Sequence, residues 1–115
     1  MRRIVVTGGR DFCDAPALVR ALDAIYAEGP FRLAQGGARG ADGRARDWAS
    51  ARGVGCVTYA ADWQRYGRAA GVIRNREMLQ DFAPDLVVAF PGGRGTQHCC
   101  DTARKMGITI IEVPT

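Results

Sequence analysis

Serine, histidine and lysine are almost absent from this chain of 115 residues, and each scarcity excludes a class of chemistry. Ser50 is the only serine and has no Gly-x-Ser-x-Gly around it, which argues against a serine hydrolase. His98 is the only histidine, so a histidine-rich zinc site cannot form. Lys105 is the only lysine, and the absence of a Gly-Lys-Ser/Thr triplet excludes a P-loop nucleotidase.

Long apolar runs are also lacking. None approaches the roughly 20 residues of a membrane-spanning helix, so we predict no membrane partner. The basic start, at residues 1–7, has too few apolar residues for a signal peptide and indicates a first strand of a cytoplasmic protein.

The cysteines lack C-x-x-C spacing, which is typical of reduced thiols rather than of a metal site; they are Cys13, Cys56, Cys99 and Cys100.

No resident cofactor or metal is predicted. Magnesium could accompany a polyphosphate ligand, but no pair of carboxylates demands it. The hydrophobic fraction of 47% is enough to build one core, and the length fits a single domain over residues 1–115. The net charge of +4 is compatible with a phosphate-bearing ligand, but it is too small to indicate a nucleic-acid partner.

Short β-branched runs alternate with helical patterns along the chain. This alternation predicts a three-layer Rossmann-like α/β domain with a five-stranded, mostly parallel sheet in the order 3-2-1-4-5. Asp14 is the predicted N-cap of the first helix, which Gly29-Pro30 ends, and the loop at 60–67 holds Trp63 and Tyr66. The predicted strands are 3–7, 31–34, 54–59, 85–90 and 108–113, and the later helices are 42–52, 69–82 and 96–106.

Glycine turns follow three of the predicted strands, and the parallel arrangement brings all three to one edge of the sheet. An arginine accompanies each turn. Glycine allows a ligand to approach the backbone, and the N-terminus of the following helix offers free N–H groups to a phosphate. We therefore predict an anionic-ligand site, the alternative being glycines that only make tight turns. The turns are Gly8-Gly9, Gly36-Gly37 with Gly40, and Gly92-Gly93 with Gly95; the arginines are Arg10, Arg39 and Arg94. The dinucleotide fingerprint G-x-G-x-x-G is absent, so no NAD enzyme of the usual kind is predicted.

The helix predicted at 69–82 carries two polar residues on its apolar side. At 100° per residue, Asn75 and Arg76 flank the apolar face, whereas Arg74 points away from it. Because burial of such groups is costly without partners, they either reach a ligand or bond inside the protein. Arg76 would then pair with Asp42 or Asp11.

The same projection separates the residues of the last helix. Cys99 and Met106 face inward, while His98 lies on the outer face, in solvent or at a subunit contact, the alternative being a catalytic base. Cys99 belongs either to the core or to the site, where the helix N-terminus would lower the pKa of its thiol. In the preceding loop, Trp63 and Tyr66 could stack on a base, pack as a lid or cover a dimer interface.

Five sequence segments together resemble one family. They are VTGGRDF at 6–12, GGARGAD at 36–42, DWxxYGxxAG at 62–71, IRNRxM at 73–78 and AFPGGxGT at 89–96. In order and spacing they resemble the YspA branch of the YpsA-related proteins, in the SLOG superfamily that also contains the LOG phosphoribohydrolases and the DprA/Smf proteins. The resemblance implies a compact Rossmann-like domain that binds a nucleotide-derived ligand and forms a homodimer or higher homo-oligomer.

The resemblance to the LOG enzymes breaks at one position. Those enzymes cleave the N-glycosidic bond of nucleoside 5′-monophosphates and hold the phosphate on the motif that matches residues 91–96 here, with an arginine that matches Arg76. Their catalytic glutamate corresponds to Cys99, and a thiol is a poor substitute for that carboxylate. Asp11 or Asp42 could supply a carboxylate from another turn.

Three functions follow from these observations. The first is a nucleotide-binding module, acting as a sensor or carrier. The second is a hydrolase of an N-glycosidic bond, as in the LOG enzymes, or of a phosphoester bond in a nucleotide-like substrate. Its catalytic candidates are Arg76, Asp42 and Asp11. The third is a DprA-like single-strand nucleic-acid binder, which the dispersed arginines disfavour. The predicted ligand-binding residues are Gly8, Gly9, Arg10, Asp11, Gly36, Gly37, Arg39, Gly40, Asp42, Asn75, Arg76, Pro91, Gly92, Gly93, Arg94, Gly95 and Thr96.

Overall fold

The computed structural model describes residues 1–114 and shows the alternation of strands and helices that the sequence predicts. The strands are β1 (Arg2–Thr7), β2 (Phe31–Gln35), β3 (Cys56–Thr58), β4 (Leu86–Ala89) and β5 (Thr109–Glu112). The long helices are α1 (Ala15–Glu28), α2 (Ala41–Arg52), α4 (Ala70–Phe82) and α5 (Arg94–Lys105). A one-turn helix, α3 (Trp63–Tyr66), leads through a 3₁₀ turn at Gly67–Ala69 into α4.

The five strands form one sheet in the order β3-β2-β1-β4-β5, and each described pairing is parallel. Val5 on β1 lies opposite Ala34 on one side and Val87 on the other. The predicted fold class and strand order are therefore confirmed. Strand β4 is buried along its whole length, as its apolar sequence predicts for an interior strand.

Two apolar clusters cover the two faces of the sheet. On one face, α1 and α2 pack around Phe31 and Trp48, whose rings stack with centroids 5.6 Å apart. Trp48 is only 5% exposed. On the other face, α4 and α5 bring Leu79 and Cys99 against Val5 of β1. The domain therefore has three layers, and the carboxyl ends of its strands emerge together at one edge.

Local signals set the helix ends. The side chain of Asp14 accepts a hydrogen bond from the N–H of Ala17 at 3.1 Å, as predicted for the N-cap of α1. Gly53, with φ at 68°, ends α2 in the left-handed conformation that glycine favours.

Four local predictions are wrong. The loop at 60–67 contains α3, because the carboxylate of Asp62 caps that turn through the N–H of Arg65. Helix α5 begins at Arg94, two residues earlier than predicted, and the third strand spans only Cys56–Thr58. Met106 is 43% exposed rather than facing inward, because α5 ends just before it. Among residues 1–114, no helix is long and apolar enough to cross a membrane.

Candidate functional site

A cleft of about 470 Å³ lies at the carboxyl edge of the sheet, and we call it the main cleft. The turns after β1 and β2, the start of α5 and one face of α4 form its walls. Open parallel sheets bind ligands in this position, where the strand order reverses. The structure brings these predicted residues together in its lining: Gly8, Gly9, Arg10, Gly36, Asp42, Asn75, Gly93, Arg94, Gly95 and Thr96.

Backbone contacts hold the three glycine turns against one another. The N–H of Gly9 donates to the carbonyl oxygen of Pro91 at 2.9 Å, and the N–H of Ala41 donates to the carbonyl oxygen of Gly9 at 3.2 Å. Gly40 has φ at +76°, and a Cβ there would overlap the carbonyl oxygen of Gly9. Gly40 is therefore needed for the close approach of the turns to one another.

A buried amide supports the second turn. Gln35, at the end of β2, has no exposed surface. Its Nε2 donates to the hydroxyl of Thr58 at 2.6 Å, and its Oε1 accepts from the N–H of Gly37 at 2.6 Å. Gln35 is not among the residues predicted for the site. A polar side chain continuing a buried strand was the signal that it bonds internally.

Asp42 and Arg74 form the charged part of the main cleft. Asp42 is 6% exposed, and it accepts a hydrogen bond from the N–H of Ala38 at 3.3 Å. Burial raises the pKa of the Asp42 carboxyl, and the N–H of Ala38 and the charge of Arg74 oppose that rise. The guanidinium of Arg74 donates to the carbonyl oxygen of Gly36. Burial lowers the pKa of Arg74, and the charge of Asp42 opposes this effect.

The prediction that Arg76 faces the site and Arg74 points away is wrong. Arg74 lines the main cleft, whereas Arg76 is exposed and lies outside its lining. Gly71 and Met78 also line the cleft, and they lie three residues before and four residues after Arg74 on one stripe of α4. Asn75, the residue after Arg74, lines the cleft as well. The apolar stem of an arginine can cross such a surface and carry its charge to a distant partner. Helical projection alone did not account for that reach.

Asn75 connects α4 to the first turn of α5. It is 4% exposed, and its Nδ2 lies 3.1 Å from the carbonyl oxygen of Gly95 and 3.2 Å from Nδ1 of His98. Its Oδ1 accepts from Nε of Arg74 at 3.0 Å. The predicted position of His98 on the outer face is wrong, because its ring turns toward Asn75 and lines the main cleft. Burial and the charge of Arg76 lower the pKa of His98.

Cys99 lies beneath the glycine turn and not in it. Its side chain is fully buried, and burial raises the pKa of the thiol to about 12. The core alternative for Cys99 therefore agrees with the structure, and burial opposes the lowered thiol pKa that the site alternative requires. At the position that matches the LOG glutamate, this chain has a buried cysteine in place of a carboxylate. The carboxylate among the main-cleft lining residues is Asp42.

A second depression, the side cleft, opens beside the main cleft and has a volume of about 540 Å³. Gly37, Arg39, Ala60 and Ala61 line the side cleft alone, while Arg10, Gly36, Ala38, Trp63 and Arg74 line both clefts. The guanidinium carbon of Arg10 lies 5.4 Å from the ring centroid of Trp63, which is 49% exposed. The cation–π pair of Arg10 and Trp63 therefore lies where the two clefts meet.

The other predicted residues line neither cleft; they are Asp11, Gly40, Arg76, Pro91 and Gly92. Pro91 and Gly40 act through the backbone contacts between the turns. Asp11 is exposed and lies 3.5 Å from Arg39. Neither alternative partner predicted for Arg76 pairs with it in the described chain, since Asp42 is near Arg74 and Asp11 near Arg39. Over residues 1–114, no group of three or more His, Cys, Asp and Glu side chains is placed to hold a metal ion.

Comparison with known proteins identifies the family. Residues 2–66 match the model of the "YspA, cpYpsA-related SLOG family". The chain is also similar to the gene 61 protein of Mycobacterium phage D29, with 41% identity over 120 residues that cover 96% of this chain and 95% of the phage protein. These matches agree with the parallel sheet and its order, and the chain belongs to the YspA, cpYpsA-related SLOG family.

Proposed function

We propose that this chain binds a nucleotide-derived ligand in the main cleft, as a sensor or carrier of that ligand. The observation that carries the proposal is the convergence of three glycine turns and the N-terminus of α5 on one cleft at the carboxyl edge of the sheet. Membership of the SLOG family supports the same class of ligand.

The first turn of α5 suits the phosphate of the ligand. The N-terminal N–H groups of a helix have no partners within the helix, and the helix dipole places partial positive charge there. Gly93, Arg94, Gly95 and Thr96 line the main cleft at this point. The sugar and base would extend toward the turns after β1 and β2, where the Asp42 carboxylate can accept hydrogen bonds from ribose hydroxyls.

Gly95 provides the sharpest test of this placement. A Cβ added at Gly95 would meet no atom within 4 Å, so Gly95→Ala should keep the fold and place a methyl group at the phosphate position. We expect affinity for a nucleoside monophosphate to fall by about tenfold or more, because the charge-assisted bonds to the helix N-terminus lengthen. Isothermal titration calorimetry with the four ribonucleoside 5′-monophosphates measures the effect.

Gly43→Ala is the matched control, because Gly43 also lies in a helix and outside both clefts, and its added Cβ has only an ordinary contact with Ala38. It should leave affinity unchanged. Equal affinity of the Gly95 variant and the parent protein would contradict the phosphate position.

Mass spectrometry of small molecules released from the purified protein identifies a ligand that copurifies with it.

Hydrolysis of an N-glycosidic bond is the second candidate function, and the position of Asp42 favours it. This carboxyl lies in the main cleft beside Arg74, and burial raises its pKa, as in many catalytic acids and bases. In such a reaction water adds to C1′ of the ribose, and the base leaves with a proton. Release of free base from a nucleotide panel, and its loss in Asp42→Asn, would support hydrolysis; intact nucleotides after prolonged incubation would contradict it.

Two finer predictions belong with this proposal. A homodimer or higher homo-oligomer stays a prediction, and light scattering coupled to size-exclusion chromatography tests it. In the part of the chain that the structure describes, β5 pairs with β4 and its other edge is open to a second copy.

Magnesium would enter only with a polyphosphate ligand, so its effect on affinity should appear with nucleoside triphosphates and not with monophosphates.

A further inference from the structure

The main cleft and the side cleft share a wall but have separate ends. Arg10, Trp63 and Arg74 border both clefts. Arg94 borders only the main cleft, and Arg39 borders only the side cleft. Each volume falls within the range of about 300–1,000 Å³ that small-molecule sites have. Gly37, Arg39, Ala60 and Ala61 lie outside the lining of the main cleft.

The two cleft ends follow strands that are not neighbours in the sheet. Arg39 follows β2 and Arg94 follows β4, and β1 lies between these strands. Two strand spacings of about 4.8 Å place the corresponding strand ends about 10 Å apart. Two separate anionic groups could therefore occupy the two ends at once, with a nucleoside between them.

Arg39, at the end of the side cleft, already has a carboxylate partner, although Asp11 itself lines neither cleft. Asp11 lies 3.5 Å from Arg39, and the two side chains are 97% and 78% exposed. Such an exposed ion pair contributes little free energy, so a phosphate, which carries more charge and accepts more hydrogen bonds, can replace Asp11 as the partner of Arg39. Arg10 borders the same cleft and adds a second cation.

We propose, on the basis of the proposed function, that the ligand carries separate phosphoryl groups on both sides of one nucleoside. The first phosphate lies at the N-terminus of α5, and the second lies in the side cleft on Arg39 and Arg10. The nucleoside spans the shared wall, with Asp42 near the ribose and Trp63 near the base. The chemical class is a nucleoside 3′,5′-bisphosphate unit, free or within a short oligonucleotide.

Calorimetry with three ligands of the same nucleoside tests the proposal. The ligands are the 5′-monophosphate, the 5′-diphosphate and the 3′,5′-bisphosphate, each prepared for adenosine, guanosine, cytidine and uridine. The diphosphate controls for added charge, because its phosphates are contiguous. We expect the bisphosphate of the preferred base to bind about tenfold or more tightly than either other ligand. Equal affinity of bisphosphate and diphosphate would overturn the proposal.

Variants at Arg39 and Asp11 should act in opposite directions. Arg39→Ala should remove the advantage of the bisphosphate over the monophosphate, because the second phosphate loses its cation. Asp11→Asn frees Arg39 and should tighten the bisphosphate by about two- to fivefold. Arg20→Ala is the control for lost charge, because Arg20 is exposed on α1 and lines neither cleft. Equal weakening of both ligands by Arg39→Ala would overturn the proposal.

The test separates this inference from the proposed function. Binding of monophosphates without any gain from a 3′-phosphate would overturn the inference alone. Absence of binding in all three series would overturn the proposed function and the inference with it. A 5′-phosphorylated dinucleotide then shows whether the bisphosphate unit is free or part of an oligonucleotide. Affinity at or above that of the bisphosphate indicates an oligonucleotide, and weaker binding indicates a free nucleotide. Both results support two separate phosphate positions.

Discussion

Nδ2 of Asn75 lies 3.2 Å from Nδ1 of His98, so a single amide joins α4 to α5 at the floor of the main cleft. Its other contact, with the carbonyl oxygen of Gly95, reaches the turn on which we place the phosphate. Because the amide nitrogen donates, Nδ1 of His98 must be unprotonated in this contact. The geometry of the phosphate position therefore depends on one amide and on the protonation state of one imidazole.

Replacement of Asn75 should weaken both the fold and the site. Asn75→Ala removes the amide nitrogen that donates to the carbonyl oxygen of Gly95 and to Nδ1 of His98, in a largely buried position. We therefore expect the free energy of unfolding to fall by about 1–3 kcal/mol. Urea denaturation measures the change. Gln80→Ala is the matched control, because Gln80 is an exposed amide on the same helix and should change the free energy by less than about 0.5 kcal/mol. Similar losses in the two variants would contradict the connecting role of Asn75.

Acidification should destabilise the protein through His98. Burial lowers the pKa of His98 in the folded state below its ordinary value of 6.5, so the unfolded chain binds the proton first as the pH falls. The contribution of His98 to stability is therefore complete above the unfolded pKa. It declines from about pH 7 downward, until the folded protein is also protonated.

His98 is the only histidine, so one imidazole resonance in an NMR titration reports its pKa directly. Urea denaturation between about pH 7.5 and 5 should show a smaller loss of stability for His98→Gln than for the parent protein, because glutamine keeps an acceptor that does not titrate in this range. A measured His98 pKa above 6.5 would contradict the prediction.

Arg74 and Arg76 form a matched pair of cations on α4. Arg74→Ala removes the donor to the carbonyl oxygen of Gly36 and the cation beside Asp42, so we expect nucleotide affinity to fall by about tenfold or more. Arg76→Ala removes the same charge from an exposed side chain and should change affinity by less than about twofold. Calorimetry with the preferred monophosphate compares them. The reverse order would restore the original assignment of Arg76 to the site.

The cysteines should differ widely in reactivity. Burial raises the pKa of Cys99 to about 12, whereas Cys13 is exposed. Because the thiolate is the reactive species, iodoacetamide at about pH 8 should alkylate Cys13 in the native protein and spare Cys99. Peptide mass spectrometry locates the label, and the same reaction in urea provides the control in which Cys99 is also modified. Native labelling of Cys99 at the rate of Cys13 would contradict its burial.

The sequence alone predicted the topology because each element carries a local signal. Asp14 capped its helix as expected, Gly53 ended another, and the apolar run at β4 indicated an interior strand. The convergence of the glycine turns then followed from the parallel arrangement, which needs no side-chain detail. For this reason the edge of the sheet that holds the cleft was predictable.

The polar contacts inside the cleft were not predictable in the same way. Whether Arg74 or Arg76 reaches the cleft depends on a long side chain crossing from α4 to the turn after β2, and helical periodicity cannot describe that path. His98 turns inward because Asn75 offers it a donor, a contact between two helices with no counterpart in local sequence. Residues that act through partners distant in the chain require the tertiary structure.

The two tryptophans lie in different environments, one in the core and one at the surface. Trp48 is 5% exposed within the stacked core, whereas Trp63 is 49% exposed at the junction of the clefts, next to Arg10. The intrinsic fluorescence of this protein therefore has one component from the core and one from the junction of the two clefts. Acrylamide should quench the emission of Trp63 and leave that of Trp48 largely unaffected, and a bound base should protect Trp63 from the quencher. Trp63→Phe would leave a protein whose emission follows unfolding alone, so a single optical measurement can separate binding from stability without an added label.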